Sequence, residues 1–214
     1  MSLGCIALQA WSNIGARRAA NGHPEPYGVK FWNIGNEPYG WWQIGKTSLD
    51  YFMIKHNEFA AAMRARDPSI ILIGSGAMPD QLHPRDVKEN ASLESIQPKF
   101  GTEQDWTGGL FAQAWGNFEG VSEHWYDRAE KRAGAPPDAE LLEYARSPSN
   151  HVRMEAEEWK IYERRFPAIR NKIFLSIDEY AYFGPPTLKL ALAYSMVMQE
   201  MLRYTDFLLS LIHI

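Results

Sequence analysis

The chain has one cysteine, Cys5, in 214 residues, so no intrachain disulfide can staple it. It has no apolar run near the roughly 18 residues that a membrane-spanning helix needs. Its first ten residues lack the basic start and the length of a secretory signal. Basic residues are not in excess either. Lys and Arg number 22 against 26 Asp and Glu, a net charge of -4 that offers no footprint for nucleic acid. The six histidines, His23, His56, His83, His124, His151 and His213, form no HExxH or comparable ligand pair. No metal, cofactor, nucleic-acid or membrane partner is therefore expected. Repeats and low-complexity segments are also missing, which excludes solenoids and disordered tails of biased composition.

Aromatic residues are abundant: 8 Trp, 10 Tyr and 10 Phe. Such a supply suits a ligand that presents ring faces, and equally a dense core. Four short runs rich in Val, Ile, Leu and aromatics read as buried strands: 29–34, 70–74, 118–127 and 173–180. Between them lie helical patterns. Ser48 or Thr47 caps a helix to about Arg66, with Asp50 in its first turn. Its buried face is expected to be Leu49, Phe52, Met53, His56, Phe59, Ala60 and Met63. A helix from the cap Asp138 to about Arg146 is followed by a second, starting at Pro148 and buried through Val152, Ala156, Trp159 and Tyr162. Thr187 introduces a last helix with Leu190, Tyr194, Val197, Met201 and Tyr204 inward. Residues 6–11 carry a further helical pattern. Residues 77–112, broken by Pro and Gly, read as a long connection holding one or two short helices.

Continuous apolar strands alternating with amphipathic helices make an α/β fold with a parallel sheet. Charged and aromatic residues follow the strand ends, where β/α barrels place their active sites. An eight-stranded barrel takes about 250 residues, and four strands are in view. The fold expected is thus a partial (β/α)8 TIM barrel over residues 1–208. Residues 209–214 are expected to be a non-native tail, because one back-translation of them resembles the end of a library adapter.

Two of those strand ends carry glutamates. Glu37 follows the first strand beside Asn36, with Trp41 and Trp42 just beyond, and Glu179 ends the fourth. A facing pair of carboxyls can cleave a glycosidic bond, one as acid/base and one as nucleophile, when they stand about 5–5.5 Å apart. The acid needs a raised pKa, which burial and the second carboxylate are expected to supply. Asn36 can hold a sugar 2-hydroxyl, and the two tryptophans can flank the leaving group. Between the glutamates His124-Trp125-Tyr126 ends the third strand. Tyr126 can orient the nucleophile, and His124 can bond either carboxylate or sit in the core as a satisfied histidine. Glu123 and Asp178 adjoin these positions, and strand alternation points them to the opposite face.

Val29-Lys-Phe-Trp-Asn-Ile-Gly-Asn-Glu37, Trp42-Gln-Ile-Gly45, Val121-Ser-Glu-His-Trp-Tyr126 and Leu175-Ser-Ile-Asp-Glu179 together resemble successive motifs of α-L-arabinofuranosidases of glycoside hydrolase family 51, in clan A. The resemblance implies a retaining hydrolase of terminal α-L-arabinofuranosyl residues, with arabinofuranose-containing carbohydrate as substrate. It makes Glu37 the acid/base, Glu179 the nucleophile and Asn36 the 2-hydroxyl partner. Tyr126 falls beside the nucleophile and Trp42 on the aglycone side. The four strands become the fourth to seventh of the barrel. The family's early strands, its eighth strand and its C-terminal β-sandwich are not in view, so the 214-residue chain alone is expected to be poorly soluble and inactive. Homo-oligomerisation of a full-length parent is left open, as is the compartment, with the cytoplasm favoured. The alternatives are another clan A glycosidase, such as a β-xylosidase or endoglucanase, and a non-catalytic carbohydrate-binding fragment.

Overall fold

The computed structural model describes residues 13–79, 101–128 and 140–213. The helix expected over 6–11, most of the connection before residue 101, and the Asp138 cap lie outside them. The described chain is α1 (Asn13–Ala20), β1 (Phe31–Ile34), α2 (Leu49–Arg66), β2 (Ile71–Ser75), α3 (Trp106–Gln113), β3 (Gly120–Arg128), α4 (Leu141–Arg165), β4 (Phe174–Phe183), α5 (Leu188–Met201) and β5 (Leu208–His213). All five strands are parallel and pair in sequence order, β1-β2-β3-β4-β5. The fold is α/β with a five-stranded parallel sheet. The expectation of four strands is thereby corrected. Residues 209–213, set aside as a tail, pair with β4 in register Leu175↔Leu208 and Ser176↔Ser210. The pairing concerns their conformation, not their origin. Among the described residues, no helix is long and apolar enough to cross a membrane.

Local chemistry explains most boundaries. Ser48 Oγ accepts from Tyr51 N (3.4 Å) at the start of α2, and Asp67 before Pro68 ends it. Six of the seven residues expected on its inner face are buried; Phe59, at the rim of the stripe, is exposed. Thr187 caps α5, whose Leu190, Tyr194, Val197 and Met201 pack on the core. The break expected before Pro148 does not occur, since α4 runs unbroken from Leu141 to Arg165. A proline inside a helix leaves the carbonyl four residues back without its donor. Here that carbonyl, on Tyr144, accepts the Tyr182 hydroxyl at 3.0 Å. A tertiary bond thus replaces the helical one.

The core lies between the sheet and its helices, centred on Trp159, which stacks on Phe207 and meets Phe111 edge-on. Val152, Ala156, Trp159 and Tyr162 form the buried stripe of α4 as expected. His56 is enclosed between the rings of Phe52 and Phe118. Burial lowers its pKa to about 4, with a contact to the Asn117 backbone opposing and Arg64 adding. Above pH 6.5 the ring is neutral in both the folded and the unfolded chain. As pH falls from 6.5 to 4 only the unfolded chain takes up the proton, so stability should drop by about 3 kcal/mol over that window. Denaturation midpoints from pH 7.5 to 4.5 check this. The slope should flatten in His56→Gln and persist if His56 is not its source.

Candidate active site

The site forms at the carboxyl ends of the strands. β1 leaves the sheet through Gly35, at φ 86°, and Glu37 itself sits at φ 46°, in the left-handed region that a side chain rarely occupies. Such a conformation costs on the order of 1–3 kcal/mol and needs outside support. Glu37 N–H donates to Ser75 Oγ at 3.1 Å, while Gly40 N–H returns to the Glu37 carbonyl at 2.8 Å. Gly35 has no room for a side chain, because a Cβ there would lie 2.9 Å from Phe52. The turn is therefore fixed from both sides, and it drives the Glu37 carboxylate inward until the residue is only 5 % exposed.

Three donors meet that carboxylate. Oε2 accepts Trp42 Nε1–H at 2.5 Å and Gln43 Nε2–H at 3.2 Å, and Oε1 accepts His124 Nδ1–H at 3.0 Å. Glu179 approaches the same ring nitrogen from further off, its Oε2 3.8 Å from His124 Nδ1, and its Oε1 accepts the Tyr126 hydroxyl. Tyr126 in turn stacks on Phe183, ring planes 7° apart. One oxygen of Glu37, one of Glu179 and a ring nitrogen of His124 all lie within 4.8 Å of one another. The two glutamates, His124, Tyr126 and Trp42 thus converge as expected. Asn36 is exposed on the turn next to Glu37.

Asp178 departs from expectation. Strand alternation places it opposite Glu179, yet both carboxylates reach His124, with Asp178 Oδ1 3.3 Å from Nε2. The cause is a register shift between β3 and β4: Glu123 pairs with Ile177 and His124 with Glu179, so Asp178 is the extra residue of a bulge. Bulges re-aim side chains and recur beside active sites. Asp178 also accepts from Ser122 Oγ and from Asn33 Nδ2, each at 2.6 Å. Asn33 stands on β1, three strands away, so the sheet is curled enough for opposite strands to touch across its concave face. Glu123 keeps to the far face as expected, buried, and accepts from Met78 N–H at 2.9 Å and from the Thr107 hydroxyl.

The electrostatics correct a second expectation. Burial does push the Glu37 carboxyl up, but the hydrogen bonds from His124, Trp42 and Gln43, with the His124 charge, outweigh it. Glu37 is held below the usual carboxylate range. Burial likewise opposes charge on His124, but the bonds to Asp178 and Glu37 and the charges of Asp178 and Glu179 push it up to about 9. Both ring nitrogens face carboxylates, which only accept hydrogen bonds, so the ring carries both protons. An imidazolium offers no lone pair. The trio is a charged cluster in which His124 is bonded to Glu37 and lies 3.8 Å from Glu179.

A model of the family described as the alpha-L-arabinofuranosidase 1 domain matches residues 5–129. The chain belongs to that family. Among curated relatives of the arabinofuranosidase domain, a probable alpha-L-arabinofuranosidase C of Aspergillus niger is 42% identical over 59 residues, covering 28% of this chain and 12% of its own. An intracellular exo-alpha-(1->5)-L-arabinofuranosidase of Bacillus subtilis is 40% identical over 67 residues, covering 31% of this chain and 13% of its own. Solved α-L-arabinofuranosidases share the fold. One from Bifidobacterium longum, of family 51, superposes with a TM-score of 0.71 at 22% identity over 99% of this chain and 43% of its own. One from Thermotoga maritima superposes at 0.67 and 22% identity over 94% and 37%. The arabinofuranosidase match thus spans about two fifths of the solved chains and an eighth of the curated ones.

Gln43, Asn33, Ser122 and Ser75 take part in the site without a role having been expected for them. Gln43 stood in the Trp-Gln-Ile-Gly run, so its signal was present. Asn33 and Ser122 stood in the quoted strand motifs too, but nothing local in a strand tells which of its polar side chains reaches a partner several strands away.

Proposed function

We propose that the chain is the carboxylate-bearing part of a retaining α-L-arabinofuranosidase that releases terminal α-L-arabinofuranosyl residues from arabinose-containing polysaccharides or oligosaccharides. Glu179 is the nucleophile and Glu37 the acid/base. The observation that carries this reading is the spacing of the two carboxylates. Oxygens within 4.8 Å fit the roughly 5–5.5 Å of retaining enzymes and leave no room for the water that inverting enzymes place between carboxyls roughly 6.5–9.5 Å apart. Under this reading β1 to β4 are the fourth to seventh strands of an eight-stranded barrel, and β5 fills the next position.

The residues divide the work. Tyr126 holds Oε1 of Glu179, which leaves Oε2 as the oxygen that attacks the anomeric carbon. Glu37 protonates the departing oxygen, then deprotonates the water that cleaves the glycosyl-enzyme. Asn36 bonds the 2-hydroxyl. Trp42, exposed on its outer side, lines the aglycone side while its N–H steadies Glu37.

In the full-length enzyme carrying this segment, the first sugar released should keep its α configuration, read by NMR before mutarotation. Glu37→Gln should cut kcat/KM on arabinan fragments about 10²–10⁴-fold and spare kcat/KM on a nitrophenyl arabinofuranoside, whose leaving group needs no proton, while kcat on the latter falls because glycosyl-enzyme hydrolysis loses its base. A β-configured first product, or equal losses on both substrates, would rule the assignment out. For the 214-residue chain alone the expected result is poor solubility and no hydrolysis. Among the described residues β1 and β5 each pair on one side only, and open strand edges associate. Cooperative melting together with turnover would overturn that expectation.

A further inference from the structure

The acid/base assignment leaves a problem that the hydrogen bonds pose and also answer. A general acid must begin with a proton, yet the Glu37 carboxylate is an acceptor on all three of its bonds, from Trp42, Gln43 and His124. We infer that the proton Glu37 delivers is stored on His124, and that Asp178 is the positioning residue that keeps it there. This rests on the reading of Glu37 as the acid/base.

The geometry is a relay. Asn33 Nδ2–H and Ser122 Oγ–H clamp the two oxygens of Asp178, each at 2.6 Å. Asp178 Oδ1 lies 3.3 Å from His124 Nε2, and Ser122 Oγ is 3.2 Å from the same nitrogen. With Nε2–H engaged there, the ring has one orientation, in which Nδ1–H points at Glu37 Oε1 3.0 Å away and lies 3.8 Å from Glu179. The imidazole is 3 % exposed, so bulk water does not compete for the proton. The titratable groups facing it are Glu37 from the turn after β1 and Asp178 and Glu179 from β4; Tyr126 of β3 bonds Glu179, and burial with the charges of the glutamates keeps Tyr39 protonated.

The transfer balances. The Nδ1–H bond of the imidazolium breaks, an O–H bond forms on Glu37 Oε1, and the ring becomes neutral with Nε2–H still donated to Asp178. The charged pair is the favoured form, since its hydrogen bonds hold Glu37 low and His124 high, so the neutral pair forms only as the leaving oxygen draws the proton on. As the glycosidic bond breaks, that O–H proton passes to the leaving oxygen and Glu37 is again an anion. In the second step Glu37 takes a proton from the attacking water, and Nδ1 recovers it. A neutral His124 at the start would leave Glu37 nothing to give. Activity therefore depends on the imidazolium, whose proton is held to about pH 9.

Two variants of the full-length enzyme test the relay. Asp178→Asn keeps a hydrogen-bond acceptor for Nε2–H and removes the charge, so the alkaline limb of kcat/KM should move down by about one pH unit or more. His124→Gln keeps a donor to Glu37 but holds no exchangeable proton at this pH. Its kcat/KM should fall about 10²-fold or more on an arabinofuranosyl oligosaccharide, and under tenfold on the nitrophenyl arabinofuranoside. Equal losses on the two substrates, or an unmoved alkaline limb in a folded Asp178→Asn enzyme, would overturn the relay and leave both residues structural. Glu37→Gln in the same assays separates the two claims. If it also lacks leaving-group dependence, the acid/base reading has failed. If it alone shows that dependence, only the relay has.

Discussion

Replacing Glu179 by glycine in the full-length enzyme should lower turnover of a nitrophenyl arabinofuranoside by at least about 10⁴-fold, and azide should restore part of it. The size follows from the role proposed for Glu179. A group that forms the covalent intermediate costs more than the roughly 10²–10⁴-fold typical of an acid/base, and loss of a nucleophile in other hydrolases reaches about 10⁶-fold. The azide result follows from the geometry. Glycine leaves a hole beside Tyr126 on the face from which Oε2 attacks, and a small anion in that hole displaces the leaving group with inversion. The product should be the β-configured arabinofuranosyl azide. Azide added to Glu37→Gly acts one step later, on the glycosyl-enzyme, and should give the α-configured azide. The two anomers, separated by NMR, therefore assign the two glutamates independently of any rate. An α product from Glu179→Gly would exchange or refute the roles.

Gly76→Ala should destabilise the fold by about 3 kcal/mol or more without touching Glu37 or Glu179. A Cβ at this position would lie 2.4 Å from Thr107 Oγ1, 2.6 Å from Glu123 Oε1 and 2.6 Å from Val121 Cγ1. These are not flexible tips that swing aside. Thr107 and Glu123 are joined to each other and fully enclosed. Overpacking of this kind costs about 1–3 kcal/mol, and parting a buried carboxylate from its hydroxyl donor adds about 1–3 kcal/mol. Thermal melts of Gly76→Ala beside Thr107→Val would divide the two contributions. A loss under about 1 kcal/mol for Gly76→Ala would mean that the packing behind β3 is looser than described.

The strands and helices were readable because their signals are local: apolar runs ending in Gly or Pro, the caps Ser48 and Thr187, and the α4 stripe. The convergence of Glu37, His124 and Glu179 was readable for a related reason. Parallel strands with helical crossovers bring their carboxyl ends to one side, so residues that end strands meet. What stayed hidden depends on partners far away in sequence. Pro148 breaks a helix by its own chemistry, and only Tyr182 makes the interruption tolerable. Alternation sends Asp178 away from Glu179, and only the register of β4 against β3 brings it back. Burial alone raises the pKa of a carboxylic acid; Trp42, Gln43 and His124 reverse that for Glu37. Leu208–His213 had a strand's composition, but its weight depended on whether β4 had a free edge to receive it.

The Asn33–Asp178 hydrogen bond has a mechanical meaning as well. It joins two strands that are not neighbours, as a tie-rod joins the ends of an arch, and the strands it ties carry Glu37 just beyond β1 and Glu179 on β4. A sheet that relaxes toward flatness carries Glu37, on the β1 side, away from Glu179 on β4, and under the proposed roles a wider gap admits water where Glu179 should attack directly. Stereochemical outcome would then be a property of curvature, and a side chain on neither glutamate would hold the setting.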